Sequence, residues 1–313
     1  MKKLTLVLSL GLIGSILFSA CSSATTPTVP PIPTASTLTL TDGLGRTVTL
    51  KASAQRIVSL APSVTEMLFA IGAGDQVVGR DSFSDYPEAA SKIKDVGGSN
   101  GDYSYETITS LNPDLVIAAE INTADQVKAL ENLGLTVYYL PNPAGFNDLF
   151  AEMITLGQLS GHESEAKKVT DALNQRVQAV SAAIAKATSQ PSVYYELDAT
   201  DPGNPYTPGP GSFVDQLITL AGGKNVGADL SSQWAQISVE NLLVKNPDLI
   251  ILGDSAYGTT VDQVAARTGW DKLSAVQEKH IYTFDDNLVS RAGPRMVDGL
   301  EALAKLIHPE LFK

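Results

Sequence analysis

The chain contains one cysteine, three histidines and two tryptophans, and only 6% of it is aromatic. A single cysteine excludes an intrachain disulfide. His162, His280 and His308 are scattered along the sequence rather than set at ligand spacing, so a zinc centre is not expected. No Gly-x-Ser-x-Gly elbow accompanies them and no GxxxxGK[ST] segment occurs, so neither a hydrolase nor a nucleotide-hydrolysing enzyme is indicated, and no catalytic residue or cofactor is assigned. Basic residues are also scarce. Lys and Arg number 22 against 34 Asp and Glu, and the net charge is −12, a poor match to nucleic acid. The longest apolar run, "LTLVLSLGLIGSILF", falls short of the ~20 residues a membrane span needs.

That run begins just after Lys2 and Lys3 and ends in "SAC", which marks residues 1–20 as an export signal. "LFSAC" resembles a bacterial lipobox, with cleavage before Cys21 and lipid attachment to it. The attached acyl chains would anchor the protein at about 0.8 kcal/mol per buried CH₂. Residues 21–36, rich in Ser, Thr and Pro, read as a tether. The expected location is the outer face of the cytoplasmic membrane, on its periplasmic or extracellular side.

From residue 37 onward, strand-like and helix-like segments alternate. "RIVSL" precedes a helix opened by Pro62 and Ser63, and "QVVGR", "DLVIAAE" and "LTVYYLP" follow in the same rhythm. Residues 163–188 break it with apolar positions at steps of three and four, a helix of about 25 residues. The alternation then resumes with "SVYYELD", "DLIILGD", a helical stretch over "VDQVAARTGWDKLSAV", and "HIYTFDD". The phrase "ETITSLNPDLVIA" at Glu106 returns as "ENLLVKNPDLIIL" at Glu240, each with a Ser two residues earlier. This pattern predicts an α/β protein of two similar Rossmann-like lobes, residues 37–160 and 191–313. Each lobe has a parallel sheet, and a backbone helix within 161–190 joins them, with a ligand cleft between.

Five segments, "RIVSLAPSVTEMLFAIG", "VVGRDSFSDYPEAA", "YETITSLNPDLVIA", "QWAQISVENLLVKNPDLII" and "RAGPR", occur in an order that resembles the substrate-binding proteins of bacterial ABC importers with a helical backbone between lobes. "APSVTE" and "SDYPEAA" are most similar to the cobalamin-binding branch. The resemblance implies a monomer that carries a metal-chelate macrocycle to a permease dimer with its ATPase. The cargo that the resemblance implies is a corrinoid first, with an iron–siderophore or haem as the alternative. It also implies a cleft lined by Pro62, Ser63, Tyr86, Tyr103, Tyr206, Trp234, Asn287 and Arg291, and a rim where Glu106 and Glu240 meet permease arginines. Relatives often carry an aromatic residue before Arg-Ala-x-Pro-Arg. Here the stretch holds Asn287, Leu288 and Val289.

Overall fold

The computed structural model describes residues 37–98 and 101–312. The signal, the tether and Cys21 lie outside the described residues. The folded body, Ser36–Lys313, is one compact unit. It opens with a hairpin, β1 (Leu38–Thr41) and β2 (Thr47–Leu50), whose turn is held by Asp42 accepting from the Leu44 and Arg46 amides.

The N-lobe follows in chain order: β3 (Ile57–Ser59), α1 (Pro62–Ala70), β4 (Val77–Arg80), α2 (Tyr105–Ser110), β5 (Leu115–Ala119), α3 (Ala124–Asn132) and β6 (Val137–Leu140). Its four strands are parallel, in the order β4-β3-β5-β6. Then come α4 (Phe146–Ser160), ended by Gly161 at φ 81°, and the long α5 (Glu163–Ile184). At 1.5 Å per residue α5 spans about 33 Å. The C-lobe comprises β7 (Ser192–Glu196), β8 (Tyr206–Pro208), α6 (Phe213–Leu220), β9 (Lys224–Asn225), β10 (Trp234–Gln236), α7 (Val239–Lys245), β11 (Leu249–Leu252), α8 (Val261–Ala265), α9 (Ser274–Gln277), β12 (Ile281–Thr283), α10 (Asn287–Ser290) and α11 (Met296–Ile307). Its parallel sheet runs β9-β7-β11-β12, the same order as the N-lobe: second strand, first, third, fourth. The stretch "VDQVAARTGWDKLSAV" is not a single helix. Gly269 at φ 84° breaks it, leaving two short helices and one 3₁₀ turn. An antiparallel ribbon of β8 and β10 is added to the C-lobe alone.

The strands alternate strictly. Ile57, Leu115, Ile117, Val193, Tyr195, Leu249 and Ile251 face one core, while Val58, Val116 and Ala118 face a second and Tyr194, Ile250 and Leu252 a third. The second and third cores belong to one lobe each. The first runs through both, joined by Ala166, Leu173 and Val180 of α5 and by the edge-on contact of Phe146 with Phe213 at 5.7 Å.

The repeated Asn-Pro-Asp has the same geometry in each lobe. Asn112 and Asn246 take φ of 46° and 41°, a left-handed turn that stops α2 and α7. Asp114 then accepts from the backbone amides of Gln55 and Arg56, and Asp248 from the amide and hydroxyl of Ser192. Each Asp thus ties its strand to the start of the lobe's first parallel strand.

Candidate ligand cleft and docking helices

In open parallel sheets ligands gather beyond the carboxyl ends of the strands, at the point where strand order reverses. In the N-lobe that point lies between β3 and β5, and Tyr103 occupies it. Its hydroxyl donates to the Leu60 carbonyl at 2.9 Å and accepts from Asn122 Nδ2 at 2.7 Å, and burial pushes its pKa up to about 12. The C-lobe counterpart, between β7 and β11, is filled by charge. Glu196, fully buried, accepts from Arg267 and from the Tyr194 hydroxyl, and Arg267 lies 4.6 Å from the centre of the Trp270 ring. Beside them burial, reinforced by Glu196, raises Asp254 to about 6. With both crevices plugged by side chains, the open space lies between the lobes.

The loops at these strand ends carry large apolar side chains in solvent. Phe83 is 53% exposed and Tyr86 47%, both after β4; Ile121, after β5, is 64% exposed and Tyr257, after β11, is 90%. Tyr206 and Trp234 stand on the outward face of the β8–β10 ribbon, where Tyr206 pairs with Gln236 and Trp234 with Pro208. Trp234 also lines a recess of about 390 Å³ between the lobes, with Leu44, Glu120, Tyr139, Phe213, Gln233 and Ser290. Phe83, Ile121 and Tyr257 were not among the residues expected from sequence. Their signal was an apolar residue in a polar loop directly after a strand.

Pro62 and Ser63 begin α1, half-buried, where the lobes meet; the Cβ position of Gly293 would lie 3.6 Å from the Ser63 carbonyl. Asn287 is turned onto Asp285, its Nδ2 2.9 Å from Oδ1. Arg291 donates to Asp85 at 2.6 Å and reaches Glu66 at 3.4 Å, and it holds the Asp85 carboxyl below its usual range. Arg295 forks onto Glu66 at 2.6 and 2.8 Å and lies 4.0 Å from the centre of the Tyr86 ring. Glu66 is 2% exposed. These bonds run from one lobe to the other, and no local pattern in the sequence points to a partner for Glu66.

All seven arginines are engaged. Arg46 pairs with Asp42 and Glu131, Arg80 with Asp95, Arg176 with Asp298 and Glu301, and Arg267 with Glu196; Arg56 donates to the carbonyls of Leu111 and Asn112. Among the described residues no group of three or more His, Cys, Asp or Glu could hold a metal ion. His308 is buried between the Gly222 carbonyl and Glu310.

At the opposite ends of two helices, Ser104 and Ser238 each accept an amide bond at 3.2 Å, from Thr107 and Asn241. Glu106 and Glu240 sit in those first turns, exposed and without a bonded partner among the described residues.

Comparison with known proteins bears on this architecture directly. Residues 57–288 match the family described as periplasmic binding protein. The chain belongs to that family. It is 33% identical over 282 residues to an uncharacterized ABC transporter substrate-binding lipoprotein of Bacillus subtilis, covering 88% of this chain and 87% of the relative. Among solved structures it is similar to the periplasmic vitamin B12 binding protein of Vibrio cholerae, with TM-score 0.70, 28% identity, and coverage of 83% and 98% of the two chains. It is also similar to a periplasmic heme-binding protein from Roseiflexus sp. RS-1, with TM-score 0.74, 26% identity, and coverage of 83% and 100%. Members of this periplasmic binding protein family are transport components rather than enzymes. Among the described residues no helix is long and apolar enough to cross a membrane.

Proposed function

We propose that this protein is the lipid-anchored, extracytoplasmic binding component of an ABC importer, and that its cargo is a corrinoid of the cobalamin kind. Membership of the family and likeness to a substrate-binding lipoprotein support the importer role. The engagement of every arginine carries the choice of cargo. Haem propionates and the carboxylate or catecholate groups of many siderophores are held most strongly by cations not already committed to a carboxylate of the protein. Here no guanidinium is free, and among the described residues Lys92 and Lys94 are the only lysines on the loops beyond the carboxyl ends of the parallel strands. A corrin with a rim of neutral amides needs none. It needs broad apolar faces, which Tyr86, Trp234, Tyr206 and their neighbours supply.

Haem is the second reading. Its support is the exposure of Tyr86, Tyr206 and Tyr257, any of which offers a phenol oxygen to iron. Lipid on Cys21 would hold the protein to the membrane, and Glu106 with Glu240 would seat it as a monomer on a permease dimer coupled to its ATPase.

The test uses residues 37–313 with cyanocobalamin, haemin and a ferric hydroxamate, followed by calorimetry and thermal unfolding. At a hundredfold excess over Kd, cyanocobalamin should add about 2.7 kcal/mol of stability. Stabilisation by haemin or the ferric chelate, with no heat and no thermal shift from cyanocobalamin, would reject the corrinoid.

A further inference from the structure

We infer that Arg295 is a positioning residue. Anchored on the buried Glu66 of the opposite lobe, it covers one face of the Tyr86 ring and so presents the other face as a ready-made platform for a planar ligand. The inference rests on the reading above that the cleft takes a macrocycle.

A tyrosine on an exposed loop ordinarily samples several rotamers. Tyr86 is 47% exposed, yet the Arg295 guanidinium lies 4.0 Å from its ring centre. That distance is within cation–π range and leaves only one broad face for a ligand. Arg295 is itself fixed. Its Nε and Nη2 form a two-toothed fork on Glu66 at 2.8 and 2.6 Å, and the two side chains are 13% and 1% exposed. Its backbone precedes the first turn of α11.

A second tie reinforces the first. Arg291 bonds Asp85, the residue before Tyr86, and reaches the same Glu66 oxygen that Arg295 Nη2 bonds. The C-lobe therefore grips two adjacent N-lobe residues, one by its carboxylate and one by its ring. Both grips pass through a single buried carboxylate. Only a planar guanidinium can fork onto a carboxylate and stack on a ring at once; an ammonium cannot. A platform ordered before binding reduces the entropy lost on binding, so its contribution appears as affinity that depends on both residues together.

Two measurements on residues 37–313 test this, with unfolding temperature followed throughout. The first needs no ligand. With ring-¹³C tyrosine, the Tyr86 signal, assigned by its loss in Tyr86→Phe, should shift in Arg295→Lys and in Glu66→Gln. An unmoved signal in folded Arg295→Lys overturns the inference. The second is a cycle of cyanocobalamin affinities. Tyr86→Ala and Arg295→Lys should each weaken binding about tenfold, and the double variant should bind no more weakly than Tyr86→Ala alone. Multiplying losses, or wild-type affinity in Arg295→Lys, would make Arg295 merely structural. If the wild type ignores cyanocobalamin, the cargo is wrong, and the tyrosine signal still decides the role of Arg295.

Discussion

Glu152 sits in α4, 9% exposed, with no hydrogen-bond partner among the described residues. Burial, and then the charge of Asp148, pushes its pKa from 4.5 to about 8. The unfolded chain ionises this group above about 4.5 while the folded chain keeps it protonated up to about 8, so stability falls across that window and levels off above it. Glu152→Gln should flatten this slope and raise stability at pH 9 by roughly 1–3 kcal/mol. Melting temperatures of both proteins from pH 4 to 9 check it; parallel curves would mean that Glu152 does not titrate in this range. Neither Glu152 nor Tyr103 declared its role in the sequence. Tyr103 was expected among the cleft aromatics, but what distinguishes it is the pair of partners its hydroxyl finds, Leu60 and Asn122, 43 and 19 residues away. Glu66 is similar: it falls inside α1, where Val64 to Leu68 are all buried, and its arginines come 225 and 229 residues later.

Elements were far more legible. Pro62, Gly161 and the Ser caps mark helix ends, and aliphatic runs mark strands, because these signals act over a few residues. The β8–β10 ribbon escaped detection, since three-residue strands carry too little periodicity and pair only through distant chain. The helices α2 and α7 separate structure from function most clearly. In both, Ser, Asn and Asp each perform a visible task in the fold, while Glu106 and Glu240 have no bonded partner among the described residues. If the two glutamates dock the permease, the double reversal Glu106→Lys with Glu240→Lys should abolish uptake in cells. It should leave cargo affinity near wild type and cost at most about 1–2 kcal/mol of stability through the helix ends. Normal uptake by the folded double variant would leave these side chains with a local role only.

At the scale of the molecule, two similar lobes and the long helix between them were readable, because the repeated phrase spans a helix, a turn and a strand and residues 163–188 interrupt the alternation. The strand order and the way the lobes' faces meet were not. The shared core and the Glu66–Arg295 bond depend on which faces meet, and no periodicity encodes that. The joining predicts a stiff cleft. Scattering curves of residues 37–313 with and without bound cargo should give nearly equal radii of gyration, and a contraction of several ångströms on binding would show a hinge that the packing does not suggest.

The same continuous core bears on how the molecule comes apart. Val64 and Met67 of the N-lobe and Leu300 and Leu303 of the C-lobe belong to one apolar cluster. Neither lobe can melt without exposing the other's interior to water. Heating should therefore produce one cooperative calorimetric transition whose van't Hoff and measured enthalpies agree, despite an internal repeat that invites the expectation of two. A fragment ending after α4 would lack the wall that completes its own interior, so the repeated halves are no longer separable as folding units.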